Sequence, residues 1–326
     1  MKLRLAALAL LAVILPLGKL LAAADVDEPQ VWLERMSTAM SQMTYQGTFV
    51  YLQGDRSETM RITHVSDQAG IRERLVSLSG KPREVLRDSS GVRWVLADDE
   101  SIFEDAAFNS SFFPELPLDH DDRARQSYRL QLGPETRIAG HSAQNLRVLP
   151  RDRYRYGYSL WLEKHSGLLL QWELVDKHNR ALARLTFTDV RLGSEVDVKE
   201  LKSGIPLNNF RTVESTLPPS PERSQSVPGW QPANLPPGFA LTAHRTVTGQ
   251  PDGMVYEHLV YSDGLATVSV YVERSEPGDD PETGFRRLGT TNAFSRLADN
   301  MLITVIGDVP SITVRTIADG VVRSSP

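Results

Sequence analysis

The sequence predicts a β-rich fold of the mixed α+β class, divided into a large and a small domain. Three observations carry this. Apolar and polar residues alternate at a period of two through much of residues 45–190. Seven of the 20 prolines fall within residues 211–238, the composition of a semi-extended linker. Beyond them, short alternating segments return and end in one amphipathic helix. At about 150 residues per domain, 326 residues make two domains. The boundaries predicted are an export signal at 1–24, a large domain at 25–210, the linker at 211–238 and a small domain at 239–326.

The leader comes first. Lys2 and Arg4 form a basic head, Leu5 to Leu17 an apolar run, and Ala22-Ala23-Ala24 a small-residue cleavage site, so the mature chain is predicted to begin at Asp25. Lys19 interrupts the apolar stretch, which falls short of the roughly 20 clean residues a membrane span needs.

One helix opens the mature part. Trp32, Met36, Ala39, Met40 and Met43 recur on one helical face, with Asp27 as N-cap and Gln30 three residues on. After Thr44 the period drops to two. Tyr45, Gly47, Phe49 and Tyr51 alternate with polar positions, as do Met60, Ile62 and His64, and Val92, Trp94 and Leu96. Such alternation marks antiparallel strands with one covered face. Residues 101–120, apolar but aperiodic, read as a loop or short helices over a sheet face. Further strands are predicted at 128–132, 136–149, 154–163, 168–176 and 181–190. Late in the chain, Tyr256–Tyr261 and Leu265–Glu273 flank the turn Ser262-Asp263-Gly264. Met301–Ile306 is a strand, and Asp308 and Pro310 open the last helix, with Val314, Ile317, Ala318 and Val321 on one face.

Composition narrows the function. Charged residues at 24% and hydrophobic residues at 40% are ordinary for a globular protein and exclude a disordered chain or a multi-pass membrane protein. The net charge of -5 argues against a nucleic-acid binder. Without cysteine there is no thiol nucleophile, disulfide, cysteine zinc site or lipoprotein acylation point. None of the seven histidines forms an H-x-H or HExxH pair. Asp119-His120-Asp121-Asp122 reads as a solvated acidic loop, with cation binding the less favoured alternative. Gly140-His141-Ser142-Ala143 is only a fragment of a nucleophile elbow. No catalytic residue, metal site or cofactor is predicted.

Two features suit binding. In strand geometry Arg147, Arg151, Arg153 and Arg155 share one face and Tyr154, Tyr156 and Tyr158 the other. Arg151, Arg153 and Arg155 are therefore anion candidates, against the alternative of a solvated strand face. The large domain also holds many bulky apolar residues for few helices. Phe49, Tyr51, Trp94, Leu96, Phe112, Phe113, Leu160, Trp161, Leu168, Leu170 and Trp172 are candidates to line an apolar concavity, with ordinary core as the alternative for each. An acyl chain buried there gains about 0.8 kcal/mol per CH₂ before costs.

Several strings then carry a resemblance. Tyr45-Gln46-Gly47-Thr48-Phe49-Val50-Tyr51 follows the tryptophan-containing helix, and Pro82-Arg83-Glu84-Val85 comes next. Pro150-Arg151-Asp152-Arg153-Tyr154-Arg155-Tyr156-Gly157-Tyr158 leads into Leu160-Trp161-Leu162 and Gly167-Leu168-Leu169. Later stand Leu235-Pro236-Pro237-Gly238-Phe239, Tyr261-Ser262-Asp263-Gly264-Leu265-Ala266 and Gly307-Asp308-Val309-Pro310. In this order they resemble the MucB/RseB family of periplasmic sigma-factor regulators, with Asp308 departing from an expected Glu.

The resemblance implies a large domain like LolA and LolB, an antiparallel half-barrel with helices on its concave face, and a smaller α+β domain. It implies binding to the periplasmic segment of a membrane-spanning anti-sigma factor of the MucA/RseA type. That segment is shielded from site-1 proteolysis and released by lipid or lipopolysaccharide fragments, and the protein is not an enzyme. The partner site is predicted on the small domain, where an exposed strand edge with Tyr261, Leu265, Val268, Val270 and Tyr271 would capture an extended peptide. A periplasmic lipid or lipoprotein carrier of the LolA type is the alternative, and a hydrolase using His141 and Ser142 a remoter one. Both a monomer and a homo-oligomer stay open.

Overall fold

A computed structural model describes residues 28–105, 122–193, 195–214, 228–248, 255–276 and 280–324. The export signal, Asp27, Phe112, Phe113 and Asp119 to Asp121 lie outside these residues.

Helix α1 (Pro29–Gln42) starts with proline, whose fixed φ and missing N–H suit a first helical turn. Its buried face is Trp32, Leu33, Met36 and Ala39, the face the three- and four-residue spacing predicts. The chain leaves it when Met43 turns extended, its N–H donating to Ala39 O at 3.1 Å.

The large domain is built on β1 (Tyr45–Gln53), β2 (Arg56–Asp67), β3 (Gly70–Ser77), β4 (Arg83–Asp88), β5 (Gly91–Leu96) and β6 (Ser101–Asp105). The short helix α2 (Asp122–Ser127) follows. Then come β7 (Tyr128–Ile138), β8 (His141–Pro150), β9 (Gly157–Glu163), β10 (Leu169–Val175), β11 (Ala181–Leu192) and, after a single 3-10 turn, β12 (Arg211–Glu214). They form one 12-stranded sheet in the order β12-β6-β5-β4-β3-β2-β1-β11-β10-β9-β8-β7, open at both ends. Every pair is antiparallel except β12 with β6. Register shifts interrupt four of the ladders, and such bulges bend and twist a sheet.

Strand parity carries a single apolar row across the sheet. Leu132 pairs with Leu146, Leu146 with Leu160, Leu160 with Trp172, Trp172 with Leu185, and Leu185 with Tyr51. Phe187, Phe49 and Met60 continue beside it. The buried face of α1 packs with these residues in one core cluster. One helix thus covers part of a broad sheet face.

Some sequence expectations change. The predicted strand 136–149 is cut at Ala139 and Gly140, both in the left-handed region (φ 48° and 84°), so it divides between β7 and β8. Residues 151–155 are bends rather than the start of a strand. Ser101–Asp105, read as loop, is β6. Both flanks of the linker interval join sheets: Arg211–Glu214 pairs with β6, and β13 (Trp230–Pro232) pairs with the final strand.

The small domain is a sheet of β14 (Ala240–Thr248), β15 (Val255–Ser262), β16 (Thr267–Arg274), β17 (Gly284–Leu288), β18 (Thr291–Ala298) and β19 (Met301–Gly307). Its order is β14-β15-β16-β19-β18-β17. Helix α3 (Ser311–Gly320) and β20 (Val321–Arg323) follow. Val314, Ile317, Ala318 and Val321 are buried with Trp230 and Phe239 against Val268, Val270, Ile303 and Val305.

Candidate functional site

The most elaborate polar arrangement lies where the two domains meet. The loop after β8 supplies Arg155, and the turn between β15 and β16 supplies Asp263. Asp152 Oδ1 accepts from the Tyr154 N–H at 2.8 Å and from Arg155 Nε at 3.1 Å, which holds the arginine stem inside its own loop. Arg155 Nη1 then donates to Asp263 Oδ2 at 2.7 Å, and Nη2 to the carbonyl of Pro237 at 2.5 Å. The guanidinium sits 5.6 Å from the Tyr128 ring centroid and 5.2 Å from that of Phe239. Both charged side chains of the Arg155–Asp263 pair are fully buried.

Asp263 is satisfied on every side. Its Oδ1 accepts from the N–H groups of Leu265 (2.8 Å) and Ala266 (2.7 Å), and Oδ2 also accepts from the Tyr128 hydroxyl at 3.3 Å. Burial pushes its carboxyl above the usual range, opposed by those two N–H groups and then by Arg155. Burial and the neighbouring Asp263 carboxylate raise the Tyr128 hydroxyl well above its ordinary value.

Further contacts join the two domains. Asn292 Nδ2 donates to the Tyr156 hydroxyl at 3.0 Å and to Val309 O at 2.6 Å. Thr313 Oγ1 donates to Tyr154 O at 2.6 Å. Gln53 Nε2 donates to Thr290 Oγ1 at 2.9 Å. Leu265 packs against the apolar cluster of the large domain. Gly238, at φ 82°, lies where a Cβ would strike Ser127 Oγ, so only glycine lets the chain pass this close.

The strings around 150–158, 235–239, 261–266 and 307–310 are far apart in the sequence, yet all supply groups to this joint. Sequence reasoning singled them out as strings but missed the assembly. Strand parity puts Arg155 on one face with Arg151 and Arg153, as an anion candidate or a solvated side chain. Because 151–155 is not extended, its alternation fails: Arg155 turns inward to Asp263 while Arg151 and Arg153 stay exposed. Arg151 Nε donates to Tyr128 O at 3.1 Å, and Arg153 lies over Tyr154.

The apolar candidates divide. Phe49, Leu160, Leu168 and Leu170 are buried in the packed core, whereas Tyr51, Trp94, Leu96 and Trp172 are half-buried. The Tyr51 and Trp172 rings lie 6.0 Å apart, and the buried Trp172 Nε1 has no hydrogen-bond partner. The partner-site expectation needs correcting, because β15 and β16 are interior strands and the sheet edges are β14 and β17. Tyr261, Val268 and Val270 are core residues, Leu265 belongs to the joint, and Tyr271 stacks on His258 at 4.4 Å. His141 and Ser142 are neighbours on β8 and so face opposite sides of the sheet.

An open sheet, joined through a buried ion pair to a sheet-and-helix domain and bearing a partly covered apolar face, defines a two-domain protein built for binding. Comparison with known proteins gives the family. The MucB/RseB N-terminal domain matches residues 28–205 and the MucB/RseB C-terminal domain residues 224–322, so the chain belongs to the MucB/RseB family. It is 31% identical over 318 residues to the sigma factor AlgU regulatory protein MucB of Pseudomonas aeruginosa, covering 94% of this chain and 95% of that protein. It is 24% identical over 294 residues to the sigma-E factor regulatory protein RseB of Escherichia coli K12, covering 89% of each. Its fold matches a crystal structure of MucB in complex with MucA(peri) at a TM-score of 0.72 and 29% identity, over 92% of this chain and 100% of that one.

Proposed function

We propose that this chain is a periplasmic negative regulator of an envelope-stress sigma factor. It binds the periplasmic segment of a membrane-spanning anti-sigma factor, shields that segment from site-1 proteolysis, and lets go when a lipid or lipopolysaccharide fragment binds. The observation that carries the reading is the match along both domains to a MucB solved with MucA(peri), at a TM-score of 0.72. The basic-then-apolar leader at 1–24 supports export. Among the described residues, no helix is long and apolar enough to cross a membrane.

Support for lipid sensing is the partly covered sheet face. Tyr51, Trp94 and Trp172 leave aromatic surface half-exposed beside the α1 core. Lipid there and anti-sigma factor elsewhere then form a linkage: each weakens the other by the same factor. The joint is the element able to relay it, since Tyr51 and Trp172 pack with Tyr156 and Tyr158 next to the Arg155–Asp263 pair.

A LolA-type lipid carrier is the second reading, favoured by the sheet face alone. A carrier has no use for a small domain locked on by a buried ion pair. The deciding experiment is co-purification with the purified periplasmic domain of the anti-sigma factor. Retention at about micromolar concentration supports the regulator. Absence of binding, with lipid transfer between vesicles, supports the carrier.

A further inference from the structure

Resting on the regulator reading, we infer that the free edge of β17 is the docking strand for an extended, acidic and apolar segment of the anti-sigma partner. β17 ends the six-stranded sheet, and among the described residues nothing pairs on its outer side. Four of its five residues are exposed. Phe285 is 45% and Leu288 71% exposed, and Leu297 on the adjoining strand is also exposed. Proteins usually protect such an edge with inward charges, bulges or a covering element. Here bare apolar side chains flank Arg286 and Arg287, in a chain whose net charge is -5.

Hairpin geometry specifies the free hydrogen bonds. Gly289 and Thr290 close β17 onto β18 with two residues, and Leu288 faces Thr291. In such a hairpin the flanking pair is hydrogen-bonded, and bonded and unbonded pairs alternate along an antiparallel ladder. The N–H and C=O groups of Phe285 and Arg287 therefore point outward. They offer two donors and two acceptors to an incoming strand, the requirement for β-augmentation.

Charge selects the occupant. Arg286 is held by Glu282, while Arg287 donates through Nε to Gly289 O at 2.9 Å and, among the described residues, pairs with no carboxylate. A segment with acidic residues beside apolar ones satisfies both features of the edge. The location ties docking to the joint, because Gly289 packs against Gln53 and Thr290 accepts its hydrogen bond. A strand added to β17 thus runs toward the contact between the domains.

The test is a titration of full-length protein with the purified periplasmic domain of the anti-sigma factor. Arg287→Pro deletes one outward N–H and no bond of the β17–β18 ladder; proline is tolerated at that kind of edge position. It and Leu288→Lys are predicted to weaken binding by about tenfold or more, with unchanged circular dichroism. Leu241→Lys, on the opposite edge, leaves affinity unchanged. If wild type binds and both β17 variants bind equally well, the docking strand lies elsewhere and the inference fails. If Leu288→Lys converts a dimer to a monomer without altering affinity, the edge joins two copies of this chain, which also overturns it. If wild type does not bind at all, the regulator reading falls, and this inference with it.

Discussion

Arg155 Nη1 and Asp263 Oδ2 stand 2.7 Å apart, both side chains wholly buried, although 108 residues separate them in the chain. Breaking such a pair from one side leaves a buried charge unmatched, at a cost of about 3–5 kcal/mol. Asp263→Ala is therefore predicted to lower the unfolding free energy by that amount in denaturant titration. Asp263→Asn, which keeps an acceptor for the Leu265 and Ala266 N–H groups, costs less. Equal stability of Asp263→Ala and wild type would show that the pair does not hold the domains.

The close passage at Gly238 gives an independent probe of the same joint. Gly238→Ala forces a Cβ into Ser127 Oγ on a backbone with φ at 82°. We predict a loss of about 1–3 kcal/mol, only partly recovered by adding Ser127→Ala, because the backbone strain survives removal of the clash. Full recovery in the double variant would mean the conformation itself is unstrained.

A pH dependence is built into the small domain. Burial, and then Arg245, hold the His258 pKa down to about 4. Arg245 Nε donates to His258 Nδ1 at 3.3 Å, so the ring proton is assigned to Nε2, which meets Ser269 Oγ at 3.1 Å. The folded state thus resists a proton that the unfolded state accepts near the ordinary histidine value of about 6.5. Stability from this group is present above that value and is lost as the pH falls through it toward about 4. Thermal melts at pH 7 and pH 5 should show a smaller drop for His258→Gln than for wild type; an identical drop would refute this.

Local periodicity made much of the fold legible and little of the site. Helix α1 and the strand beginning at Tyr45 follow directly from spacing. The division of 136–149 was harder to read, because alternation persists on both sides of Ala139-Gly140 and only backbone φ breaks it. Strands β17 and β18 escaped since exposed Phe285 and Leu288 show no buried face. Arg155 was misplaced for a deeper reason: its partner lies in another domain, and no local pattern encodes a contact across 108 residues. The Asp152–Arg155 spacing inside a tyrosine-rich string was the one available hint of an arginine held inward.

On the proposed function, the joint between the domains is what lets them hold the anti-sigma segment. The most direct test is the dissociation constant for the purified periplasmic domain of the anti-sigma factor, measured for wild type and for Asp263→Ala at a temperature where both are folded. Micromolar or tighter binding by wild type and a loss of about tenfold or more in the variant are expected. Absence of wild-type binding, or equal affinity of the two proteins, would contradict this role of the joint.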